Sequence, residues 1–508
     1  MKVSILSATL VGIDAQEVYV EADILHDLPK CTIVGLPDSA VQEARERIRS
    51  AITNSSLPFP RTRITVNLAP ADTRKEGSHY DVPIAVAVLV AEGALPDKGW
   101  ESRILVGELA LDGSVRSCKG VLSIALLAKR KGIKELFVPD KNAPEAAMIR
   151  GVRVLPISSL SHLAHHVLET KKIIPWRGRR GTFNKSPVHI AAVDFADVRG
   201  QEHAKRALEI AAAGCHNILL TGPPGAGKTL LARALVSIQP RLSIQESLEV
   251  IRIYSVAGLI SNTQTLIEQR PFRSPHHTAS GVALVGGGAV PKPGEVSLAH
   301  RGVLFLDEFP EFPRGVLENL RQPMEDGVVS VSRAAGSVQY PARFMLVAAM
   351  NPCPCGLYGQ EDDACICTPS QVLKYRKKIS GPLLDRIDLH VEVPRVALDK
   401  LTGEYQTETS SMVRARVEYA HICQRKRFGR NPVRFFNAEM TMAEMKRWCA
   451  IDQNVQTFLR QAALAFRLSA RSYFRVLKVA RTIADLGKSK TILRDHVAEA
   501  LQYRTKIE

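Results

Sequence analysis

The 508-residue sequence predicts an α/β protein in three parts. Three observations point there. Strand-length apolar runs alternate with helix-patterned stretches from the N-terminus to about residue 394. One such run, Ile218-Leu219-Leu220, passes through a glycine-rich loop straight into a helical pattern. From about residue 401 onward only helical spacing remains. These divisions give domains at 1–168, 193–400 and 401–508, with a linker at 169–192.

In the first part, TRITVNLAP and KELFVPD read as strands, and SAVQEARERIRSAI and VPIAVAVLVAEG as helices. The opening MKVSILSATLVGIDAQEVYVEAD alternates like a strand and lacks a small-residue cleavage site, so a signal peptide is not expected. No apolar stretch approaches membrane-spanning length. With 45% hydrophobic and 23% charged residues, the composition excludes disordered, collagenous and membrane-embedded classes. Nine cysteines in 508 residues are too sparse for a secreted disulfide scaffold, and an odd number cannot all pair internally, which points to a reducing cytoplasm.

Charge is lopsided: 68 Lys+Arg against 51 Asp+Glu give +17, which favours a polyanionic partner, nucleic acid before membrane. The excess is concentrated. Residues 171–185, KKIIPWRGRRGTFNK, hold six basic residues and no acid, and read as an exposed linker. Residues 401–508 hold 20 Lys+Arg against 10 Asp+Glu.

The middle part carries the chemistry. In NILLTGPPGAGKTLLARAL, the segment Gly222, Pro223, Pro224, Gly225, Ala226, Gly227, Lys228, Thr229 fits G-x-x-x-x-G-K-[ST] between a strand and a helix. Glycines there let backbone N–H groups wrap phosphates at a helix N-terminus; Lys228 would reach the β- and γ-phosphates of ATP and Thr229 would ligate Mg²⁺. Downstream, HRGVLFLDEF ends a buried strand in two carboxylates, Asp307 for the metal and Glu308 to orient water. ARFMLVAAMNPCP ends another strand in Asn351, placed to sense the γ-phosphate.

Lys228 and Asp307 stand 79 positions apart, so something is inserted between them. The candidate, RPFRSPHHTASGVALVGGGAVPKPGEVSLAH, carries Arg270, Arg273, His276, His277 and Lys292 among glycines and suits a surface that touches phosphate backbones or a neighbouring subunit. Adjacent histidines in a strand would point apart, which argues against a shared metal.

Four of the nine cysteines, Cys353, Cys355, Cys365 and Cys367, lie in CPCGLYGQEDDACIC immediately after Asn351. Two short chelate arms separated by a loop fit a structural Zn²⁺ site, although both arms are C-x-C rather than the usual C-x₂-C. Reduced thiols are the alternative. The other five cysteines are read as core thiols.

The runs RPFRSPHH, PGEVSLAHRGVLFLDE, LRQPMEDG, AAMNPCPCG and SGPLLDRIDLHVEV resemble the magnesium-chelatase-like branch of the AAA+ ATPases, and within it the ComM/YifB family, over essentially the whole chain. The resemblance implies an N-terminal Lon-protease-like α/β domain, an AAA+ P-loop core with a parallel sheet, and a C-terminal helical lid. It implies a homo-hexameric ring with each ATP completed by a neighbour's arginine. By motif position that arginine is Arg386 in LLDRID, with an ion pair to Asp385 or Asp388 as the structural alternative. SARSYFRVLKVARTIADL resembles the second sensor helix, with Arg471 first and Arg475 second as the sensor.

The family's activity implies an ATP-driven helicase that migrates DNA branches, on single-stranded or branched DNA and alongside recombination proteins, during natural transformation. The N-terminal part resembles a Lon domain whose dyad is lost. Tyr80 or Asp81 stands near the serine position and Leu122 at the lysine position, which leaves Ser78 with Lys119 as a formal pair. Two other functions share the ATPase motifs: a chelatase-type subunit that remodels a protein partner, and an ATP-dependent protease.

Overall fold

A computed structural model describes residues 3–72, 74–177, 193–260, 266–288, 291–333, 336–359, 365–396, 407–429 and 434–504. Most of the basic linker, residues 178–192, and the stretch 397–406 around the expected lid boundary lie outside the described residues. The chain groups into two compact units, one formed by 1–186, 248–267 and 334–339, the other by 187–247, 268–333 and 340–508.

In the first unit, Val3–Val11 and Asp14–Leu25 form an antiparallel hairpin registered from Val3↔Ala22 to Val11↔Asp14. Arg63–Ala69 continues the sheet antiparallel, and Lys30–Val34 closes it in parallel. A second, all-parallel sheet joins Arg103–Leu105, Glu135–Pro139 and Arg153–Ile157. The helix Asp81–Ala91 is buried all round, as its unbroken apolar run from Val82 to Val90 requires. Helix Ser39–Asn54 starts where Asp38 Oδ1 accepts from the Val41 amide at 2.8 Å. Residues 248–267, which follow the P-loop in sequence, supply Ile251 to the apolar cluster around helix Val121–Arg130. There the buried Glu145 accepts hydrogen bonds from the Leu122 amide and from the Ser255 hydroxyl.

The second unit is built on a five-stranded parallel sheet in the order Phe272–Arg273, Val303–Leu306, Met345–Met350, Ile218–Thr221, Leu389–Glu392. VLFL and MLVAAM are buried along their full length, as expected of central parallel strands covered on both faces. Helices Glu202–Gly214 and Lys228–Ile238 share one apolar cluster with Val413 and Val417 of helix Ser410–Phe428 and with Val476, Val479, Ala480 and Ile483 of helix Ala470–Leu486. The α/β architecture with a helical C-terminal region is as the sequence predicts. Among the described residues, no helix is long and apolar enough to cross a membrane.

The insert departs from expectation. Arg270 is not a surface residue: it is buried, and its guanidinium donates to Pro240 O at 3.0 Å, Arg301 O at 2.7 Å and Glu246 Oε1 at 2.9 Å. Arg273 is held by both oxygens of Glu295 at 2.5 and 2.7 Å. His276 and His277 lie in a turn beyond the strand Phe272–Arg273, so strand alternation does not separate them, and their rings lie 4.1 Å apart and 33° from parallel.

Candidate nucleotide site

The site gathers at the C-terminal edge of the parallel sheet. Strand Ile218–Thr221 pairs with Met345–Met350 so that Thr221 faces Met350, and both chains leave the sheet side by side. The Gly222 amide donates to Met350 O at 3.2 Å, which ties the loop to the strand that ends before Asn351. A side chain cannot replace the hydrogen here, because a Cβ on Gly222 would drive into the carbonyl oxygen of Val393. Gly225 and Gly227 serve a different purpose. Both have left-handed φ, +78° and +87°, and a Cβ on either would meet nothing within 4 Å. That open concave face, at the N-terminus of helix Lys228–Ile238, fits a phosphate chain.

Lys228 Nζ lies at the mouth of the loop, donating to Gly222 O at 2.7 Å, Pro223 O at 2.9 Å and Asn351 Oδ1 at 3.0 Å. Burial lowers its pKa, and the negative charge of Asp307 opposes the shift. Thr229 Oγ1 donates to Asp307 Oδ2 at 2.8 Å, so the hydroxyl and carboxylate expected to share a magnesium ion already meet over the end of the one strand, Met345–Met350, that separates theirs. Glu308 sits at φ +51°, a left-handed conformation, and its carboxylate is exposed. His277 Nδ1 lies 3.0 Å from Glu308 Oε2, a partner that sequence spacing did not assign. Lys228, Thr229, Asp307, Glu308 and Asn351 are therefore brought to one edge.

Arg386 and Arg471 are not. Arg386 precedes strand Leu389–Glu392, whose Leu389 pairs with Ile218, so it lies at the opposite end of the sheet from the loop that leaves Thr221. The three steps from Ile218 to Thr221, at roughly 3.3 Å each, put those ends about 10 Å apart before either loop is counted. Arg386 is buried, and its guanidinium bonds to Glu325 and Pro382 O rather than to Asp385 or Asp388. Burial draws its pKa down; Glu325 opposes, and repulsion from Arg471 and Arg321 adds to the shift. Arg471 stands at the same place, 62% exposed, 3.9 Å from Glu325.

Arg475 is committed elsewhere: it bonds the buried carboxylate of Asp388 and donates to Arg386 O at 2.9 Å. Burial alone would raise the Asp388 pKa, but Arg475 and His216 hold it far below the usual carboxylate range. The basic surplus of the C-terminal region is likewise partly internal, since Arg427 and Arg481 both serve Asp485 and Arg416 bridges Glu209 and Glu408. Arg425, Lys426, Arg447, Arg460, Arg467 and Arg494 remain exposed.

The four clustered cysteines converge. Their sulfurs all lie within 4.8 Å of one another, and all are free thiols. The donor set is consistent with zinc. In the first unit, the Ser78 hydroxyl bonds the carboxylate of Glu108, and the Lys119 side chain lies against Gly258, so the formal dyad is not formed. Tyr80 and Asp81 are buried, and Asp81 is gripped by Arg47 at 3.0 and 3.1 Å.

A parallel sheet in this order, with a P-loop leaving its central region and an Asp-Glu pair two strands away, defines a P-loop ATPase of the AAA+ class. Family models agree along the chain: "Magnesium chelatase, subunit ChlI" matches residues 194–401, "Subunit ChlI of Mg-chelatase" 20–142, and "Magnesium chelatase, subunit ChlI C-terminal" 407–504. The uncharacterized protein YifB of Salmonella typhimurium is 44% identical over 97% of this chain and 95% of its own. The competence protein ComM of Haemophilus influenzae is 42% identical over 99% and 97%. The magnesium-chelatase 67 kDa subunit of Heliobacterium mobile is 26% identical over 45% of this chain and 38% of its own. The chain belongs to the ComM/YifB family of magnesium-chelatase-like AAA+ ATPases.

Proposed function

We propose that the protein is an ATP-hydrolysing ring motor on DNA, a branch-migration helicase that helps integrate incoming DNA by homologous recombination. One observation carries the ring: Arg386 and Arg471 cluster at the end of the sheet away from their own P-loop. An arginine there reaches a nucleotide only in the next subunit, so a heterologous, closing assembly of about six copies completes each site. Lys228 and Asn351 bind the γ-phosphate, Thr229 and Asp307 hold Mg²⁺, and Glu308 orients the attacking water, with His277 positioning that carboxylate. A bound magnesium ion would neutralise phosphate charge. Arg386 is the finger, released from Glu325 on assembly, and Arg471 rather than the Asp388-bound Arg475 is the second sensor.

DNA as the track is supported by the +17 net charge, by the exposed arginines of the C-terminal helices and by the likeness to a protein named for competence. Recombination proteins are the expected partners and the cytoplasm the expected compartment. The Lon-like first unit acts as a proteolytically inactive scaffold, in keeping with the bond between Ser78 and Glu108. ATP turnover measured with and without single-stranded and forked DNA tests this function. Stimulation that weakens as salt rises is expected; no DNA binding and no stimulation at low salt would overturn it.

A further inference from the structure

We propose that Cys353, Cys355, Cys365 and Cys367 hold one zinc ion, and that this ion clamps the P-loop against the Asn351 end of its neighbouring strand. The sulfurs are spaced for a metal and not for disulfides. Cys353 Sγ lies 3.4 Å from Cys355 Sγ and 3.7 Å from Cys365 Sγ, and Cys355 Sγ lies 3.5 Å from Cys365 Sγ. Four thiolates about 2.3 Å from a tetrahedral zinc sit about 3.8 Å apart, whereas a disulfide needs about 2.05 Å. The Tyr358 amide donates to Cys353 Sγ at 3.3 Å, the kind of backbone support that steadies a metal-bound thiolate. An all-sulfur set selects a soft or borderline ion over magnesium or calcium.

The connection to the nucleotide site is direct. Cys353 follows Asn351 by two residues and is fully buried. Gly356, at φ +85°, comes so close to the P-loop that a Cβ there would lie 2.6 Å from Pro224 Cδ and 3.8 Å from Asn351 Cγ. The cysteine loop thus rests on Pro224 and Asn351 together, and Asn351 in turn holds Lys228. On its other side, Arg376 Nε donates to Pro352 O at 3.3 Å and lies over the Tyr358 ring at 5.2 Å. Cys365 and Cys367 belong to no regular element, so the ion is what ties their arm to the first. Without it, the contact on Pro224 and Asn351 loses its backing. The clamp rests on the P-loop binding ATP and is independent of what the motor moves.

The test uses the full chain, purified without chelator, with metal content by elemental analysis and affinity by titration with a fluorescent ATP analogue. About one zinc per chain is expected. Cys353→Ser and Cys365→Ser should lose the zinc and bind nucleotide about tenfold more weakly. Gly356→Ala should keep the zinc and still bind nucleotide more weakly. Because a cysteine variant can misfold, wild-type protein stripped by a chelator is followed by circular dichroism and refilled with cobalt(II). Thiolate-to-cobalt absorption bands together with recovered affinity support the proposal. Absence of zinc and of cobalt bands, or iron in place of zinc, overturns the site. Stripped, folded protein with unchanged affinity overturns the clamp. Zinc-loaded protein that binds no ATP overturns the P-loop assignment and the clamp with it, leaving the metal site standing.

Discussion

Two glycines of the same loop should fail in opposite ways when changed to alanine. At Gly225 the new methyl has room, with nothing within 4 Å, and the cost is the left-handed φ of +78°. That conformation costs a non-glycine residue about 1–2 kcal/mol, partly offset by about 0.4–1 kcal/mol from a stiffer unfolded chain. A net loss of about 1 kcal/mol lowers the melting temperature by about 2–4 °C in a unit of this size. The methyl occupies the concave face meant for phosphate, however, and losing one or two hydrogen bonds to a charged group at about 1.5–3 kcal/mol weakens ATP binding about tenfold to a hundredfold or more. Gly222→Ala reverses the pattern. Its Cβ meets the backbone carbonyl of Val393, which no rotamer change relieves, so strand Leu389–Glu392 and its continuation must shift at about 2–3 kcal/mol or more. Thermal melts and fluorescent-nucleotide titrations on both variants check this. Gly225→Ala binding ATP like the wild type, or Gly222→Ala melting with it, would refute the division of labour.

Four further outcomes follow from the same geometry. Arg475→Ala leaves the buried Asp388 without its guanidinium and should cost about 3–5 kcal/mol of stability, seen as a lowered denaturation midpoint. Arg471→Ala, at an exposed site, should leave the midpoint within about 0.5 kcal/mol while ATP turnover falls. Chains carrying Lys228→Ala and chains carrying Arg386→Ala should each be inactive alone, yet mixed equally they should recover about a quarter of wild-type turnover, the share of interfaces that join an intact loop to an intact arginine. No recovery would place Arg386 outside the neighbour's site. Finally, burial would raise the pKa of Glu246, but Arg270 and the Ser243 amide and hydroxyl bring it down to about 2 from an ordinary 4.5. The folded value is the depressed one, so its stabilisation is complete above pH 4.5 and is lost as pH falls towards 2. That depression corresponds to about 3 kcal/mol. Denaturation midpoints of wild type and Glu246→Gln measured from pH 6 to pH 2.5 should therefore converge on the acid side.

What the sequence disclosed was whatever is written locally. A P-loop is a fixed spacing between one strand and one helix, and the glycines at 225 and 227 stand where left-handed φ is needed. Asp307, Glu308 and Asn351 were legible because each ends an apolar run, and a parallel sheet puts strand ends together. The cysteines were legible from their pairing in sequence. Partners distant in the chain were not. Nothing near Arg386 names Glu325, and nothing near Arg475 names Asp388 as an ion-pair partner fixed by packing. The pattern RPFRSPHH reads as a basic loop until Glu246 and Glu295 are seen to take its arginines inside. Nothing in the sequence of residues 248–267 assigns them to the first unit, and only the place of Ile251 in the apolar cluster with Val121 and Leu122 does so. Nothing in the sequence around Gly356 points to Pro224, and their closeness comes from the fold alone.

Whether ATP hydrolysis at this site moves DNA branches, as proposed, is decided by ATP-dependent resolution of a labelled three-way DNA junction by the full chain at low salt. Wild-type protein should resolve the junction only with ATP and Mg²⁺, and Lys228→Ala and Glu308→Gln should abolish it, a loss of about a hundredfold or more for the carboxylate. Resolution by wild type at the same rate without ATP, or an intact ATPase that leaves every junction and fork unmoved, would contradict it.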